Sequence, residues 1–174
     1  LVRALLERID ARGHGQRKIL FEPGRSLVGN AGVLLASVLY LKPGPEKNFC
    51  IVDAAMNDLM RPAMYQAWMG MAACTLRDTP PAVMDVVGPV CESGDWLGRD
   101  RDLALAPGDR LAVLSAGAYA RSMASNYNSR PRAAEVMVDG TRATLIRERE
   151  SVPSLFSGER LLGALRSAAA GPPQ

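Results

Sequence analysis

The stretch GPVCESGD, residues 88–95, follows an apolar run and carries several groups that can do chemistry. A thiol, a carboxylate, a hydroxyl and a second carboxylate stand within five positions, at Cys91, Glu92, Ser93 and Asp95. The flanking glycines predict a strand that ends in a tight loop, and such a loop exposes reactive side chains on a rigid support. By itself, the stretch is also compatible with a buried cysteine beside a surface glutamate.

The size and composition of the chain restrict its class. Its 174 residues can form one good hydrophobic core, with room for a small second unit. The 21 basic and 18 acidic residues give a net charge of +3, too small and too scattered to indicate nucleic-acid binding. No stretch predicts a membrane span. Three cysteines without disulfide-framework or zinc-site spacing indicate a reducing compartment, so we expect a cytoplasmic protein without a bound metal.

The pattern of predicted elements changes near residue 32. Residues 1–12 have the apolar spacing of an amphipathic helix, and 18–21 form a short apolar strand, which together are typical of an α/β unit. Short strands separated by turn signals follow, as in a β-sandwich or barrel, and Asp139-Gly140 is a strong hairpin signal. In this part we predict strands over 33–41, 49–52, 72–76, 82–87, 110–114, 133–138 and 141–146, a polar loop over 53–61, and helical segments over 62–68 and 158–170.

Two further stretches carry candidate ligand-binding residues. Glu22-Pro23-Gly24-Arg25 comes directly after the predicted strand over 18–21, where a glycine lets the backbone approach a ligand and following helical N–H groups can bind phosphate. A plain strand-to-helix turn with a serine cap explains the same residues. Arg61 and Tyr65 stand four positions apart, so on a helical turn they share one face. An exposed arginine beside a half-buried tyrosine is the alternative there.

Four stretches, in this order, resemble the fold-type III pyridoxal-phosphate decarboxylases, and the Cys-Glu-Ser spelling resembles their diaminopimelate decarboxylase branch. The resemblance implies a mainly β chain. Residues 33–174 would form a C-terminal β-sandwich or barrel domain, and residues 1–32 would be the last helix-strand unit of a truncated TIM-type (β/α) barrel. The stretches are FEPGRSLVGNAG (21–32), DAAMNDLMRPAMY (53–65), GPVCESGD (88–95) and GAYARSMASNYNSRPRAAEV (117–136).

The same resemblance implies a pyridoxal 5′-phosphate site. Glu22 would pair with the pyridine nitrogen and keep it protonated, which makes the ring a better electron sink. Pro23, Gly24 and Arg25 belong to the same cofactor motif, in which Arg25 also contacts a substrate carboxylate. Tyr119 would contact the cofactor phosphate and the substrate.

A second group of implied roles concerns the substrate. Arg61 and Tyr65 would hold its distal end, and Glu92 would bind its distal amino group. Cys91 would be the proton donor, since a thiol with a pKa near ~8.5 is mostly protonated at neutral pH. In the family this loop reaches the neighbouring subunit, which implies a homodimer with shared active sites. One departure is the sequence MGM at 69–71, where relatives often carry a histidine.

The resemblance places the cofactor-bearing lysine in the barrel, and Lys18, Lys42 and Lys47 do not stand in its sequence context. We therefore expect a C-terminal fragment, inactive alone, of an enzyme that converts meso-2,6-diaminopimelate to L-lysine and carbon dioxide in lysine biosynthesis. A related ornithine, arginine or carboxynorspermidine decarboxylase is one alternative. A non-catalytic regulatory paralogue that pairs with such a decarboxylase is the other.

Overall fold

The computed structural model describes residues 2–162, and this part of the chain is mainly β, as predicted. The β-strands are β1 (Leu34–Lys42), β2 (Asn48–Val52), β3 (Met71–Ala73), β4 (Ala82–Val87), β5 (Trp96–Leu103), β6 (Arg110–Val113), β7 (Glu135–Asp139) and β8 (Arg142–Arg147). The α-helices are α1 (Val2–Ala11), α2 (Gly24–Val28) and α3 (Arg61–Tyr65), and short 3-10 turns span Gly29–Ala31, Arg121–Met123, Tyr127–Ser129 and Val152–Phe156.

Six strands form one curled sheet in the order β3-β6-β1-β2-β4-β5. Strands β2 and β4 run parallel, and the other neighbours are antiparallel. The curl brings the two edge strands together: a Cβ built on Gly98 of β5 would lie 2.6 Å from Cε of Met71 on β3. The sheet is therefore a nearly closed barrel, which confirms the predicted β-barrel class. Strands β7 and β8 form a separate hairpin, also as predicted.

The core of the barrel follows the two-residue period of its strands. Ala36 and Val38 of β1 point inward, and Ala36 faces Leu111 of the neighbouring β6. Cys50 on β2 and Val86 on β4 are fully buried in the same cluster. Burial of each Val or Leu side chain stabilises the fold by about 1.5–3 kcal/mol relative to exposure. The apolar alternation of these strands therefore turns one set of side chains into the core and leaves the other set outside it.

The predicted strand over 18–21 is wrong. These residues have no regular secondary structure and pair with no strand within residues 2–162, and Leu20 is 80% exposed. An isolated strand lacks the inter-strand hydrogen bonds that would fix it, so an apolar run alone does not form one. The predicted helix before it is present as α1, with no buried residue. The division into 1–32 and 33–174 stays a prediction.

In other segments the local sequence predicted a different secondary structure or burial from the one observed. Strand β5 was not predicted, because its alternating Arg and Asp side chains resemble a solvated loop. It is an edge strand of the sheet, in which Arg99, Asp100 and Asp102 are exposed and Arg101 is buried. The predicted polar loop over 53–61 is a loop, but Ala55 and Leu59 are fully buried in it. Of the predicted helix over 158–170, residues 158–162 are not helical and the others lie outside the described residues.

Within residues 2–162 there is neither a helix that could span a membrane nor a metal-binding cluster. No helix in residues 2–162 has both the length and the apolar character needed to cross a bilayer. In the same range, no cluster of three or more His, Cys, Asp or Glu side chains has the arrangement of a metal site.

Candidate active site

The loop over 88–95 joins β4 to β5 and is fixed by Asp95. The buried Asp95 carboxylate accepts hydrogen bonds from the N–H groups of Met56 and Val90, each at 2.7 Å. A Cβ on Gly88 would lie 2.4 Å from the Asp95 carboxylate, so a glycine is needed for this approach. Burial raises the pKa of Asp95, and the two N–H donors oppose that rise. Asp95 therefore anchors the loop rather than presenting a reactive group.

Cys91 and Glu92 project from the anchored loop into solvent. Cys91 is a free, exposed thiol, which excludes the alternative of a buried cysteine. Glu92 Oε1 accepts hydrogen bonds from the Gly94 N–H at 3.0 Å and the Ser93 hydroxyl at 3.3 Å. These donors, the Gly94 N–H foremost, lower the pKa of Glu92. The loop thus presents a carboxylate held in its charged form, as binding of a cation requires.

Arg61 and Tyr65 occupy the first and last positions of α3, as the four-residue spacing predicts. Tyr65 is 61% exposed, and Arg61 is half-buried with Nη1 3.6 Å from the sulfur of Met69. Met69 belongs to the predicted departure at 69–71, and it places a thioether against the arginine. Gln66 ends the helix in a left-handed conformation with φ 52°. The two side chains are on one turn, with the tyrosine exposed and the arginine half-buried.

The loop over 53–60 connects α3 to the anchored loop. Its Met56 N–H binds Asp95, and its fully buried Asn57 binds a third segment, 125–132, on the other side. Arg130 Nε donates to Asn57 Oδ1 at 2.9 Å, and its Nη2 pairs with Asp58 at 3.7 Å. One short loop therefore holds both the Cys91–Glu92 loop and the 125–132 segment.

The segment over 125–132 is itself tied down at its far end. Asn126 and Arg132 both bind the carboxylate of Glu150, at 2.6 Å and 2.9 Å. The Arg132 backbone N–H, the Asn126 amide and the Arg132 guanidinium lower the pKa of Glu150 to about 2. A side chain on this segment consequently has a well-defined position relative to the loop over 53–60.

The predicted cofactor motif lies at the start of α2. Glu22, Pro23, Gly24 and Arg25 are all exposed. A Cβ on Gly24 would meet no atom within 4 Å, so the packing of this chain does not itself require the glycine. Ser26 makes no capping hydrogen bond: the helix begins at Gly24, and its cap Pro23 has no side-chain cap. The alternative of a serine-capped turn is therefore not formed, and the ligand-binding interpretation of the motif stays a prediction.

The second cofactor stretch packs directly on the first. Gly117 N–H binds the Gly29 carbonyl at 3.0 Å, and Ala116 N–H binds the Gly32 carbonyl at 2.8 Å. Tyr119 follows in this loop, half exposed, with φ +59°. A bulky residue in the left-handed region is strained, and such strain concentrates at functional sites. The contact therefore holds the loop that carries Tyr119 against residues 29–32, which follow the Glu22–Arg25 motif in the chain.

These residues fit one side of a pyridoxal-phosphate site. Tyr119 lines a cavity of about 810 Å³ between residues 28–34 and the β7-β8 hairpin. Glu22 and Arg25 do not line this cavity; with the cofactor bound, Glu22 would supply a carboxylate for the ring nitrogen, and Arg25 and Tyr119 would supply donors for anions. Lys47 is paired with Asp85 and Asp100, at 3.0 Å and 3.2 Å, and these partners raise its pKa.

The structure divides the predicted site residues into two groups. Among residues 2–162, no hydrogen bond or ion pair joins the Cys91–Glu92 loop to the Glu22–Arg25 motif or to Tyr119. Sequence reasoning identified the exposed members of both groups but missed Tyr127, whose hydroxyl contacts Glu92, and the Asn57–Arg130 pair. Nothing local identifies these three, because their partners are 35 and 73 positions away along the chain.

The nearly closed β-barrel is the architecture of the C-terminal sheet domain of fold-type III decarboxylases. The sequence profile of the pyridoxal-dependent decarboxylase C-terminal sheet domain matches residues 13–117, so the chain belongs to that family. Over 161 residues it is 58% identical to the diaminopimelate decarboxylase of Pseudomonas aeruginosa, covering 92% of this chain and 38% of that protein.

Further relatives agree. The Vibrio cholerae diaminopimelate decarboxylase is 52% identical over 160 residues, covering 92% of this chain and 38% of that protein. The crystal structure of M. jannaschii diaminopimelate decarboxylase with L-lysine has a TM-score of 0.83 and 39% identity, covering 94% of this chain and 37% of that one. The chain thus spans about two fifths of the length of these relatives.

Proposed function

We propose that this chain supplies the C-terminal part of a diaminopimelate decarboxylase, which converts meso-2,6-diaminopimelate to L-lysine and carbon dioxide in lysine biosynthesis. The observation that carries the proposal is the accessible Cys91-Glu92 pair on an anchored loop. The identity of 58% to a diaminopimelate decarboxylase over nearly the whole chain supports the choice of substrate. A cytoplasmic location belongs to the proposal, supported by three free cysteines.

Glu22, Arg25 and Tyr119 would form a cofactor half-site, the part of the cofactor site that this chain contributes. Bound pyridoxal phosphate supplies an electron sink that allows a carboxylate to leave as carbon dioxide. Glu22 holds the proton on the ring nitrogen by providing an adjacent negative charge. Arg25 and Tyr119 bind and orient anionic groups of cofactor and substrate. In this proposal residues 1–32 complete the edge of a cofactor-binding barrel, and 33–174 form the β-domain.

The second group of residues matches the distal end of the substrate. Diaminopimelate carries an ammonium and a carboxylate at the end that does not react. Glu92 binds the ammonium, since its carboxylate is kept charged by the Gly94 N–H. Arg61 binds the carboxylate, with Tyr65 beside it on α3. The Cys91 thiol gives its proton to the carbon that has lost carbon dioxide.

We also propose a homodimer with shared active sites. The separation of the two groups supports it, because no described contact joins Cys91 and Glu92 to the cofactor half-site of their own chain. Each half-site would meet the Cys-Glu loop of the neighbouring subunit. A two-fold dimer then contains two complete sites.

The experiment uses a protein in which this chain is joined to a cofactor-binding barrel, with lysine formation from diaminopimelate as the readout. We expect activity with diaminopimelate and none for the 174-residue chain alone. Arg61→Ala should lower kcat/KM about ten- to a hundredfold, which corresponds to losing about 1.5–3 kcal/mol from a charge-assisted contact, with cofactor absorbance unchanged.

Arg142→Ala on the exposed strand β8 is the matched control and should retain full activity. A preference for ornithine or lysine as substrate would replace the proposal by the related decarboxylases. A joined protein that binds cofactor without decarboxylating any of these amino acids would favour the regulatory paralogue.

A further inference from the structure

Tyr127 touches the carboxylate that we assign to the distal ammonium group. Its hydroxyl donates to Glu92 Oε2 at 3.4 Å, while the Gly94 N–H and the Ser93 hydroxyl donate to Oε1. Each carboxylate oxygen therefore has its own protein donor. A separation of 3.4 Å is long for an O–H···O bond, so Oε2 stays open to a second partner beside Tyr127.

Tyr127 is held in place by the loop over 53–60 and not by the Glu92 loop itself. Tyr127 lies in the segment over 125–132, where Ser125 N–H binds the Asn57 carbonyl at 3.0 Å and the Asn57 side chain binds the Ser125 carbonyl at 3.2 Å. The Tyr127 N–H binds the Ser125 hydroxyl at 3.3 Å. Asn128 and Ser129 follow with φ of +59° and +54°, which turns the chain sharply beyond the tyrosine.

The same short loop, residues 53–60, binds both the Glu92 loop and the segment that carries Tyr127. Asp95 fixes the Glu92 loop to the Met56 N–H, and Asn57, the next residue, fixes the tyrosine segment. The same loop leads into α3, which carries Arg61. Any displacement of this loop therefore moves the donor, the carboxylate and the arginine together, which conserves their geometry.

We propose that Tyr127 is a positioning residue that orients Glu92 toward the distal ammonium group of the substrate, an assignment that rests on the function proposed above. The tyrosine holds one carboxylate rotamer and leaves the other lone pairs of Oε2 for the ammonium. It acts on substrates with a distal amino group and is indifferent to substrates without one. Tyr127 thereby contributes to substrate choice without contacting the reacting carbon.

The hydroxyl also favours the charged form of Glu92. The Gly94 N–H contributes most to lowering the pKa of Glu92, and the Ser93 and Tyr127 hydroxyls add to it. Removing the Tyr127 hydroxyl removes a donor to the anion, so the pKa of Glu92 must rise. The acidic limb of the kcat/KM profile for diaminopimelate should then shift toward higher pH.

The test is Tyr127→Phe in the protein that joins this chain to a cofactor-binding barrel. With meso-diaminopimelate we expect kcat/KM to fall roughly three- to tenfold, mainly through KM, the range of one net hydrogen bond. With 2-aminopimelate, which lacks the distal amino group, we expect no change. In a Glu92→Ala background the tyrosine substitution should have no further effect on diaminopimelate, because its acceptor is gone.

The controls separate positioning from a general disturbance of the fold. Tyr40→Phe removes the hydroxyl of an exposed tyrosine on β1 and should leave kcat/KM unchanged for both substrates. Equal losses with both substrates, or a loss that persists in the Glu92→Ala background, would mean that Tyr127 is merely structural and would overturn the assignment. Unchanged kinetics with diaminopimelate would overturn it too, while leaving the proposed function intact. An unmutated enzyme that does not use diaminopimelate would refute the proposed function itself.

Discussion

Gly117 and Gly24 both stand in stretches with a predicted cofactor-binding role. The packing of the chain requires a glycine at position 117 but not at position 24. A Cβ on Gly117 would lie 1.9 Å from the Val28 carbonyl oxygen, whereas a Cβ on Gly24 would meet nothing within 4 Å. Gly117 thus permits the backbone contact that places Tyr119. Gly24 leaves open space at the surface, as close approach of a ligand requires.

Gly117→Ala should therefore separate the two cofactor stretches and destabilise the chain. We expect a loss of about 1–3 kcal/mol, the usual cost of forcing an extra methyl group into a packed position. Thermal unfolding of the 174-residue chain measures it. Gly158→Ala, where a Cβ meets nothing within 4 Å, is the control and should leave the midpoint unchanged. Equal midpoints for both variants would show that the contact between residues 28–32 and 116–117 is loose.

The site residues that sequence could reveal are those with an exposed functional group in a local motif. Cys91 and Glu92 were predicted from their loop, and Arg61 and Tyr65 from their spacing. Asp95 belongs to the same motif, yet its burial gives it an anchoring role that the motif does not show. Tyr127 could not be predicted, because its role depends on a contact 35 positions away that exists only in the folded chain.

At the scale of elements, strands with clear boundaries and apolar alternation were predicted well. The prediction over 82–87 coincides with β4, and that over 33–41 differs from β1 by one residue at each end. Strand β5 was missed because tertiary pairing with β4 overrides its charged sequence. The run over 18–21 shows the opposite error, since apolar residues without a neighbouring strand stay unpaired.

An ion pair connects the β3-β4 loop to the turn before β6. Arg77 binds both carboxylate oxygens of Asp109, at 2.7 Å and 2.6 Å, and Ala106 N–H binds the same group. The Arg77 guanidinium foremost, then the Ala106 N–H, lower the pKa of Asp109 from its ordinary 3.8 to about 2. A carboxyl with a depressed folded-state pKa stabilises the fold above its unfolded pKa and loses this contribution as pH falls through the folded value.

We therefore expect Asp109→Asn to lower the thermal midpoint of the 174-residue chain at neutral pH. The difference from the unmutated chain should stay constant down to about pH 4 and shrink between about pH 4 and about pH 2. Thermal unfolding followed at several pH values measures this. Asp102→Asn, at an exposed position of β5, is the control. A difference between Asp109→Asn and the unmutated chain that does not shrink below about pH 4 would contradict the assignment.

The nearly closed barrel carries the two groups of predicted site residues on different loops. Cys91 and Glu92 follow β4, whereas Tyr119 follows β6 in a loop whose residues 116 and 117 bind residues 29–32. The barrel fixes each group internally through Asp95 and Gly117. This arrangement is what a dimer with shared sites needs, because each group is prepared in its own subunit before it meets the other.

Complementation between two inactive subunits tests this arrangement. One subunit, joined to its barrel, carries Cys91→Ala, and the other carries an intact Cys91 but lacks the cofactor-bearing lysine of the barrel. Each homodimer is expected to be inactive, since every site lacks either the proton donor or the lysine. Lysine formation from diaminopimelate is then measured after the two proteins are mixed and allowed to exchange subunits.

With random exchange of equal amounts, about half of the dimers are mixed. If Cys91 serves the neighbouring subunit, one site of each mixed dimer receives both defects and the other receives none. Roughly a quarter of the sites of the unmutated enzyme should then become active. If Cys91 served its own subunit, each mixed dimer would contain one site without the thiol and one without the lysine. Mixed dimers that form, as shown by two different affinity tags, but stay inactive would therefore refute the shared site.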